Sequence, residues 1–278
     1  MALDIIIPIF NQEKNILNIY NKLKDELANV KHYFIFVNDS SNDKSLEILK
    51  NIQKKDESNV KIINFSKKFG KEEAIYAGLI YSKHDLVCIY DLDLQINANY
   101  ITKMYNYLQE HSEYDQICMY SNNKIDFKIK LYNKLFKSNI DNNKTYFRLI
   151  KRNVVNGIIK YCENNSLSIN TFNLIGFNTY YLKFESKNIV NLNDYFKKNM
   201  QHLLLLKLTY YLLNIISIII ILLILFKIIN FSTNTLCILL LLMNIIYTYI
   251  NNKYYKEIYN HKERFIIKDL IGFDEKIL

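Results

Sequence analysis

The chain lacks most of the marks of a secreted, disulfide-stapled or nucleotide-hydrolysing protein. Its four cysteines, Cys88, Cys118, Cys162 and Cys237, lie far apart and form no C-x-x-C pair. They read as reduced core or membrane residues, not as a disulfide framework or a zinc site. A single proline, Pro8, in a background rich in Asn, Lys, Ile and Tyr carries no chemistry of its own. No G-x-G-x-x-G or Walker sequence is present, so dinucleotide binding and NTP hydrolysis lose their main support. Neither an Arg-rich stripe nor an aromatic-basic RNA motif occurs, and nucleic acid is not an expected partner. The opening Met1-Ala-Leu-Asp-Ile-Ile-Ile-Pro8 lacks the basic and apolar stretches of a secretory leader, so the first domain is expected in the cytoplasm.

What the chain does have is a mild basic excess, a β-α alternation and two long apolar runs. Lys and Arg total 36 against 27 Asp and Glu, a formal charge of +9 in 278 residues. A solvated Lys-rich surface is the plainer reading of that excess, and attraction to anionic headgroups or phosphates the other. Residues 3–7 and 33–37 are short β-rich runs flanking a helical pattern over 15–30. The pattern continues with a helix over 43–54, a strand over 60–65, a helix over 71–82 and a strand over 86–90. Four strands alternating with three helices predict an α/β fold, a doubly wound and mostly parallel sheet with helices on both faces. Beyond residue 95 the expected elements are a helix at 100–110, a strand at 116–120, a helix at 153–163 and strands within 167–184.

The character changes after residue 203. The stretches 208–226 and 232–250 contain no charged residue, and about 20 apolar residues span a bilayer. A transmembrane helical hairpin over 208–250 fits, with a buried soluble helix pair as the bland alternative. Lys197, Lys198 and Lys207 precede it, Lys253, Lys256, Lys262, Arg264 and Lys268 follow it, and only Lys227 lies in the turn. That distribution puts both ends on the cytoplasmic side. Residues 191–207 read as a juxtamembrane amphipathic helix with Tyr195, Phe196, Met200 and Leu203 in the interface. The expected division is a catalytic domain over 1–190, the interfacial helix, the hairpin and a cytoplasmic tail over 251–278.

The most informative stretch is Leu86-Val-Cys-Ile-Tyr-Asp91-Leu-Asp93-Leu-Gln95. Two carboxylates at i and i+2 after a buried strand leave the same face of the sheet edge. They are costly together unless a cation balances them. Hard oxygen ligands point to Mg²⁺ or Mn²⁺, which would bridge the diphosphate of a nucleotide-sugar; a solvated turn with two incidental aspartates is the alternative. A second candidate is Asn38-Asp39-Ser40-Ser41-Asn42-Asp43, directly after a strand. There Asp39 could accept from a nucleotide base, and Ser41 or Asp43 could cap the next helix.

Four segments in order, Ile7-Pro8-Ile-Phe10-Asn-Gln12-Glu13, Val37-Asn38-Asp39-Ser40, Phe69-Gly70-Lys71-Glu72-Glu73-Ala74 and Asp91-Leu-Asp93-Leu-Gln95, resemble the successive motifs of family 2 glycosyltransferases. Phe147-Arg148-Leu149, Glu185-Ser186-Lys187, the apolar hairpin and the Tyr- and Lys-rich tail resemble the polyprenyl-phosphate glycosyltransferases within that family. The resemblance covers nearly the whole chain. It implies a GT-A, Rossmann-like domain with the hairpin behind it, in an integral protein of the cytoplasmic membrane. It also implies an inverting enzyme that moves a sugar from a nucleotide-sugar to a polyprenyl phosphate for surface glycan modification, and is compatible with a homo-oligomer. Pro8, Phe10, Gln12 and Asp39 would line the nucleotide pocket. Asp91, Asp93 and Gln95 would hold the metal, and Arg148, Ser186 and Lys187 would meet the lipid phosphate.

The chain departs from the family pattern at several places. Asn38 stands where a second aspartate is usual, Gln12 where an acid is common, and Tyr146 where an aspartate precedes Phe-Arg-Leu. Asn122 or Asn123 stands where an arginine is expected, with Lys124 as a substitute. A family 2 transferase acting on another glycan acceptor, or a catalytically silent membrane scaffold, are the alternatives these departures leave open.

Overall fold

The three-dimensional structure, a computed structural model, describes residues 1–94, 96–121, 143–184 and 264–273, with scattered helical positions at 130, 133–134, 242, 245–247 and 249. Gln95, Ser186 and Lys187 lie outside the described residues, as do the helix expected at 191–207 and most of the hairpin expected at 208–250. Among the described residues no helix is long and apolar enough to cross a membrane. The chain divides into two units. One comprises Met1–Ile129, Asn139–Val190 and Glu263–Leu278, the other Lys130–Ser138 and Asn191–Lys262. In the second, Leu242, Ile245, Ile246 and Tyr249 are helical and exposed.

The first unit begins with the expected alternation: β1 (Leu3–Ile9), α1 (Ile16–Glu26), β2 (His32–Asn38), α2 (Ser45–Lys55), β3 (Val60–Phe65), α3 (Lys71–Tyr81) and β4 (Leu86–Ile89). β1 pairs in parallel with β2 and β4, and β2 with β3. These strands are apolar at nearly every position because both faces are covered. Leu3, Ile5 and Ile7 of β1 lie in one core with residues of α1, α2 and α4 (Asn99–Glu110), while Ile6 lies in the other with residues of α3 and α5 (Arg152–Cys162). α3 approaches β1 at Gly78, where a Cβ would sit 2.3 Å from Ile6 Cγ2. Glycine is what lets this helix lie so close.

The remaining strands are β5 (Gln116–Ser121), β6 (Lys144–Lys151), β7 (Thr179–Phe184) and β8 (Ile267–Ile271), giving the order β7-β5-β6-β4-β1-β2-β3-β8. β6 is antiparallel to β4 and β5, and β7 is parallel to β5. One expectation is corrected. Within 167–184 only β7 is a strand, and Thr171–Leu174 forms a short helix, α6. Ser168 bonds locally to Thr171 Oγ1 through both its N–H and its hydroxyl, the kind of side-chain competition that favours a turn over a ladder. Within the expected tail, Ile267–Ile271 is the eighth strand, antiparallel on β3. Phe265 stacks on Phe65 at 5.2 Å, and Asp269 accepts from Asn64 Nδ2 at 2.8 Å. The tail thus covers an edge that would otherwise expose unpaired backbone groups.

Candidate active site

β1, β2 and β3 follow one another outward, and β4 then lies on the other side of β1. The reversal falls between β1 and β4, and in open α/β sheets the ligand crevice lies beyond the carboxyl ends of the strands at such a point. Asp39 N–H donates to Ile9 O and Tyr90 N–H to Ile6 O, both at 2.9 Å. The loops that begin at Phe10, Asp39 and Tyr90 therefore leave one edge of the sheet.

The first two loops are stitched together. Asn11 adopts φ +53° and Ser40 φ +54°. Asn11 N–H donates to Ser41 Oγ, Gln12 N–H to Ser45 Oγ and Glu13 N–H to Asp43 Oδ2; in return Asn42 N–H donates to Asn11 Oδ1 and Lys44 N–H to Glu13 Oε2. Asp43 also accepts from Ser45 N–H at 2.9 Å, so it caps the start of α2 while Ser41 serves the neighbouring loop. Gln12 accepts from Asn15 Nδ2 through Oε1, and the ammonium of Lys68 lies 3.5 Å from the centre of the Phe10 ring. Pro8, Phe10, Gln12 and Asp39 are thus brought to one region.

Asp39 is 3% exposed. Its two carboxylate oxygens accept from the N–H groups of Phe69 and Gly70, at 2.6 and 2.9 Å. Burial raises its pKa, with these two amides opposing. Gly70 has φ +109°, a region L side chains rarely enter, and it immediately precedes α3. One face of Asp39's role is therefore to brace the turn that launches α3. Asn38 beside it donates through Nδ2 to Asn64 Oδ1, and Asn64 donates in turn to Asp269. An aspartate at 38 has no N–H to begin that relay, which accounts physically for the departure from the usual pair of acids.

Asp91 and Asp93 meet as expected, by a different route. β4 ends at Ile89 and Leu92–Leu94 is a 3₁₀ turn, so strand alternation does not set their directions. Asp93 N–H donates to Asp91 Oδ1 at 3.1 Å, closing the turn. The cation that balances them belongs to the chain: Lys71, the first residue of α3, forms an ion pair with Asp91 and donates to Asp93 Oδ2 at 2.8 Å. Asp91's side chain is 6% exposed, Lys71's 26% and Asp93's 66%. Burial pushes the Asp91 pKa up against the pull of Lys71, whereas for Lys71 the two carboxylates outweigh burial and hold its pKa above the ordinary lysine range.

Two carboxylates converging on a cation at an open edge fit a divalent metal of the Mg²⁺ kind, which is held by one or two carboxylates with water and phosphate completing its shell. Among the described residues no group of three or more His, Cys, Asp or Glu gathers as a larger ligand cluster.

Arg148 lies on β6 opposite Ile89 of β4 and Cys118 of β5. It is 1% exposed, with its guanidinium 3.8 Å from the centre of the Phe172 ring and Nη2 donating to Thr145 O and to Cys118 Sγ. Its Nε and Nη1 have no partner. Tyr146, two residues before it, donates to Glu72 Oε1 at 3.3 Å, and burial raises its pKa far above the ordinary phenol range. Lys71, Glu72 and Tyr146 escaped the sequence reading as site residues. A lysine opening a helix reads as a surface cation, and the sequence gives no sign that α3 brings it to the acid pair.

The family profile "Glycosyl transferase family 2" matches residues 4–182. A Bacillus subtilis protein named as a glycosyltransferase, CsbB, is 34% identical over 202 residues, covering 67% of this chain and 60% of that protein. The bactoprenol glucosyl transferase of Shigella phage SfX is 29% identical over 176 residues, covering 59% of this chain and 57% of that one. The matched region spans less than two thirds of the length of these relatives. Among solved structures, glucosyl-3-phosphoglycerate synthase from Mycobacterium tuberculosis in complex with Mn²⁺, UDP and phosphoglyceric acid superposes with a TM-score of 0.50 at 12% identity, covering 74% of this chain and 77% of that one.

Proposed function

The chain belongs to glycosyl transferase family 2 and is a glycosyltransferase, and from that premise we propose that it transfers a sugar from a nucleotide-sugar to a polyprenyl phosphate, with inversion, at the cytoplasmic face of a membrane. One observation carries the reading: an acid pair held open at the strand reversal, beside the loops of Phe10 and Asp39. The acceptor is suggested by relatives named for bactoprenol glucosyl transfer.

In this reading Pro8, Phe10, Gln12 and Asp39 bind the nucleotide, and Asp91, Asp93 and Gln95 hold Mg²⁺ or Mn²⁺. The metal, when bound, stabilises negative charge on the leaving diphosphate. An oxygen of the acceptor phosphate bonds to the anomeric carbon as the bond from that carbon to the donor's diphosphate breaks, the electron pair leaving with the nucleoside diphosphate. A phosphate monoester is largely ionised near neutral pH, so no strong general base is required. Ser186 and Lys187 contact the lipid phosphate. Arg148, enclosed as it is, acts on that phosphate through its charge.

Membrane attachment through the apolar stretches at 208–226 and 232–250 belongs to the same proposal. The exposed apolar positions Leu242, Ile245 and Ile246 are what a lipid-facing helix presents. β7 and β8 lie in one sheet, so the chain between them must cross any bilayer an even number of times, in keeping with a two-helix hairpin. The test is a membrane fraction given radiolabelled nucleotide-sugars one at a time, followed by solvent extraction. Label in an organic-soluble, phosphate-linked product from one donor is expected; label only in polymer or protein would replace the lipid acceptor with another.

A further inference from the structure

Asp91 and Asp93 already hold a cation, and it is tethered. Lys71 Nζ lies 2.8 Å from Asp93 Oδ2 and is ion-paired with Asp91. Mg²⁺ draws its oxygens in to about 2.0–2.1 Å, so a divalent metal on these two carboxylates would stand close to the Lys71 ammonium, and their like charges repel. The backbone of Lys71 is fixed independently of these ion pairs. Asp39 clamps the N–H groups of Phe69 and Gly70 just before Lys71, while the flexible four-carbon stem of Lys71 allows its ammonium to leave the pair without moving the helix start. The pair is open on the Asp93 side, which is 66% exposed, so an incoming ion has a way in.

Resting on the metal assignment proposed above, we infer that Lys71 is a positioning residue that competes with the metal. It occupies the acid pair in the free enzyme, holds the two carboxylates together without an ion, and must be displaced when a divalent cation enters. A free ion therefore binds weakly. If the ammonium is seated for nine-tenths of the time, the apparent metal affinity falls about tenfold below that of the unguarded pair.

The test uses the full chain in lipid nanodiscs, without nucleotide, and reads bound Mn²⁺ from the loss of the free-ion EPR signal. Lys71→Met is expected to bind Mn²⁺ about tenfold more tightly than wild type, and adding Asp93→Asn to it should abolish the gain. If Lys71→Met binds no tighter while Asp93→Asn weakens binding in both backgrounds, the competition is refuted and the metal assignment stands. If Asp93→Asn changes nothing in either background, both fall. An independent arm needs no variant: the rate of acylation of Lys71 by an amine reagent, followed by peptide mass spectrometry, should rise when Mn²⁺ saturates the wild-type protein. A rate at Lys71 unmoved by Mn²⁺ refutes the displacement even if Lys71→Met fails to fold.

Discussion

Asp39 and Asp91 are both nearly enclosed acids at the carboxyl ends of strands that flank β1, and they are satisfied in opposite ways. Asp39 takes two main-chain amides. Asp91 takes one amide of its own turn and the ammonium of Lys71. An acid held by main-chain groups is fixed as firmly as the loop it braces, and its removal disturbs structure first. An acid held by a flexible side chain keeps its place while changing partner, and its removal disturbs chemistry first. The same edge of the sheet thus carries one structural and one exchangeable carboxylate, separable by experiment.

The largest expected effect is on chemistry. Asp93→Asn, with Asp91→Asn beside it, should lower sugar transfer by at least ~100-fold, about 3 kcal/mol of lost transition-state stabilisation, with circular dichroism unchanged. Transfer at the wild-type rate by either variant, or transfer unaffected by excess chelator, would break the assignment of this pair to the metal.

Asp39→Asn should act on the fold. Its amide group can serve only one of the two N–H groups as acceptor, leaving the other opposed by a donor, a loss of about 1–3 kcal/mol. Chemical denaturation measures it, and a variant as stable as wild type would show that the clamp on Phe69 and Gly70 carries no weight.

Glu73 sharpens the contrast, being an acid with neither kind of partner at Oε2. Burial raises its pKa from 4.5 to about 7, with Arg264 opposing and Glu72 adding to the rise. Because the folded value lies above the unfolded one, its contribution to stability is complete below pH 4.5 and is lost as pH rises through 7. Relative to Glu73→Gln, wild type should lose about 2 kcal/mol across that window. Unfolding free energies of the two proteins running parallel over the same pH range would remove Glu73 as the cause.

The smallest effect is at Asn38. Asn38→Asp ends the amide relay to Asn64 and Asp269, and should lower stability by about 1 kcal/mol while leaving transfer measurable. If the variant is more stable, the relay is not what selects asparagine there.

The parallel half of the sheet was legible because β1 to β4 are buried runs separated by helices with clear apolar faces, a signal of period and length. β6 was not, since Lys144, Tyr146, Arg148 and Lys151 interrupt its apolar pattern and only its partners on either side bury it. β8 was hidden for a related reason: Ile267-Lys268-Asp269-Leu270-Ile271 is too short and mixed to declare a strand until β3 supplies an edge. At the site, the ends of β2 and β4 locate Asp39 and the Asp91–Asp93 pair at one edge of the sheet, while a 3₁₀ turn that strand alternation does not foretell brings the two acids together. That Lys71 would sit between those two acids depends on α3 and β4 meeting across the fold, and no local pattern records such a meeting. From the motif alone the Asn at 38 left a silent scaffold open as an alternative; the neighbours Asn64 and Asp269 give the amide a structural role there.

β8 has a consequence for how the protein is made. β3 ends at Phe65 and its outer partner begins at Ile267, so about 200 residues must be synthesised between them, on the order of 10–40 s of ribosome time. During that interval the nascent sheet can assemble from β1 to β4 while β3 stays an open edge. A chain cut short between β7 and residue 267 therefore keeps seven strands of the sheet and leaves β3 unsealed.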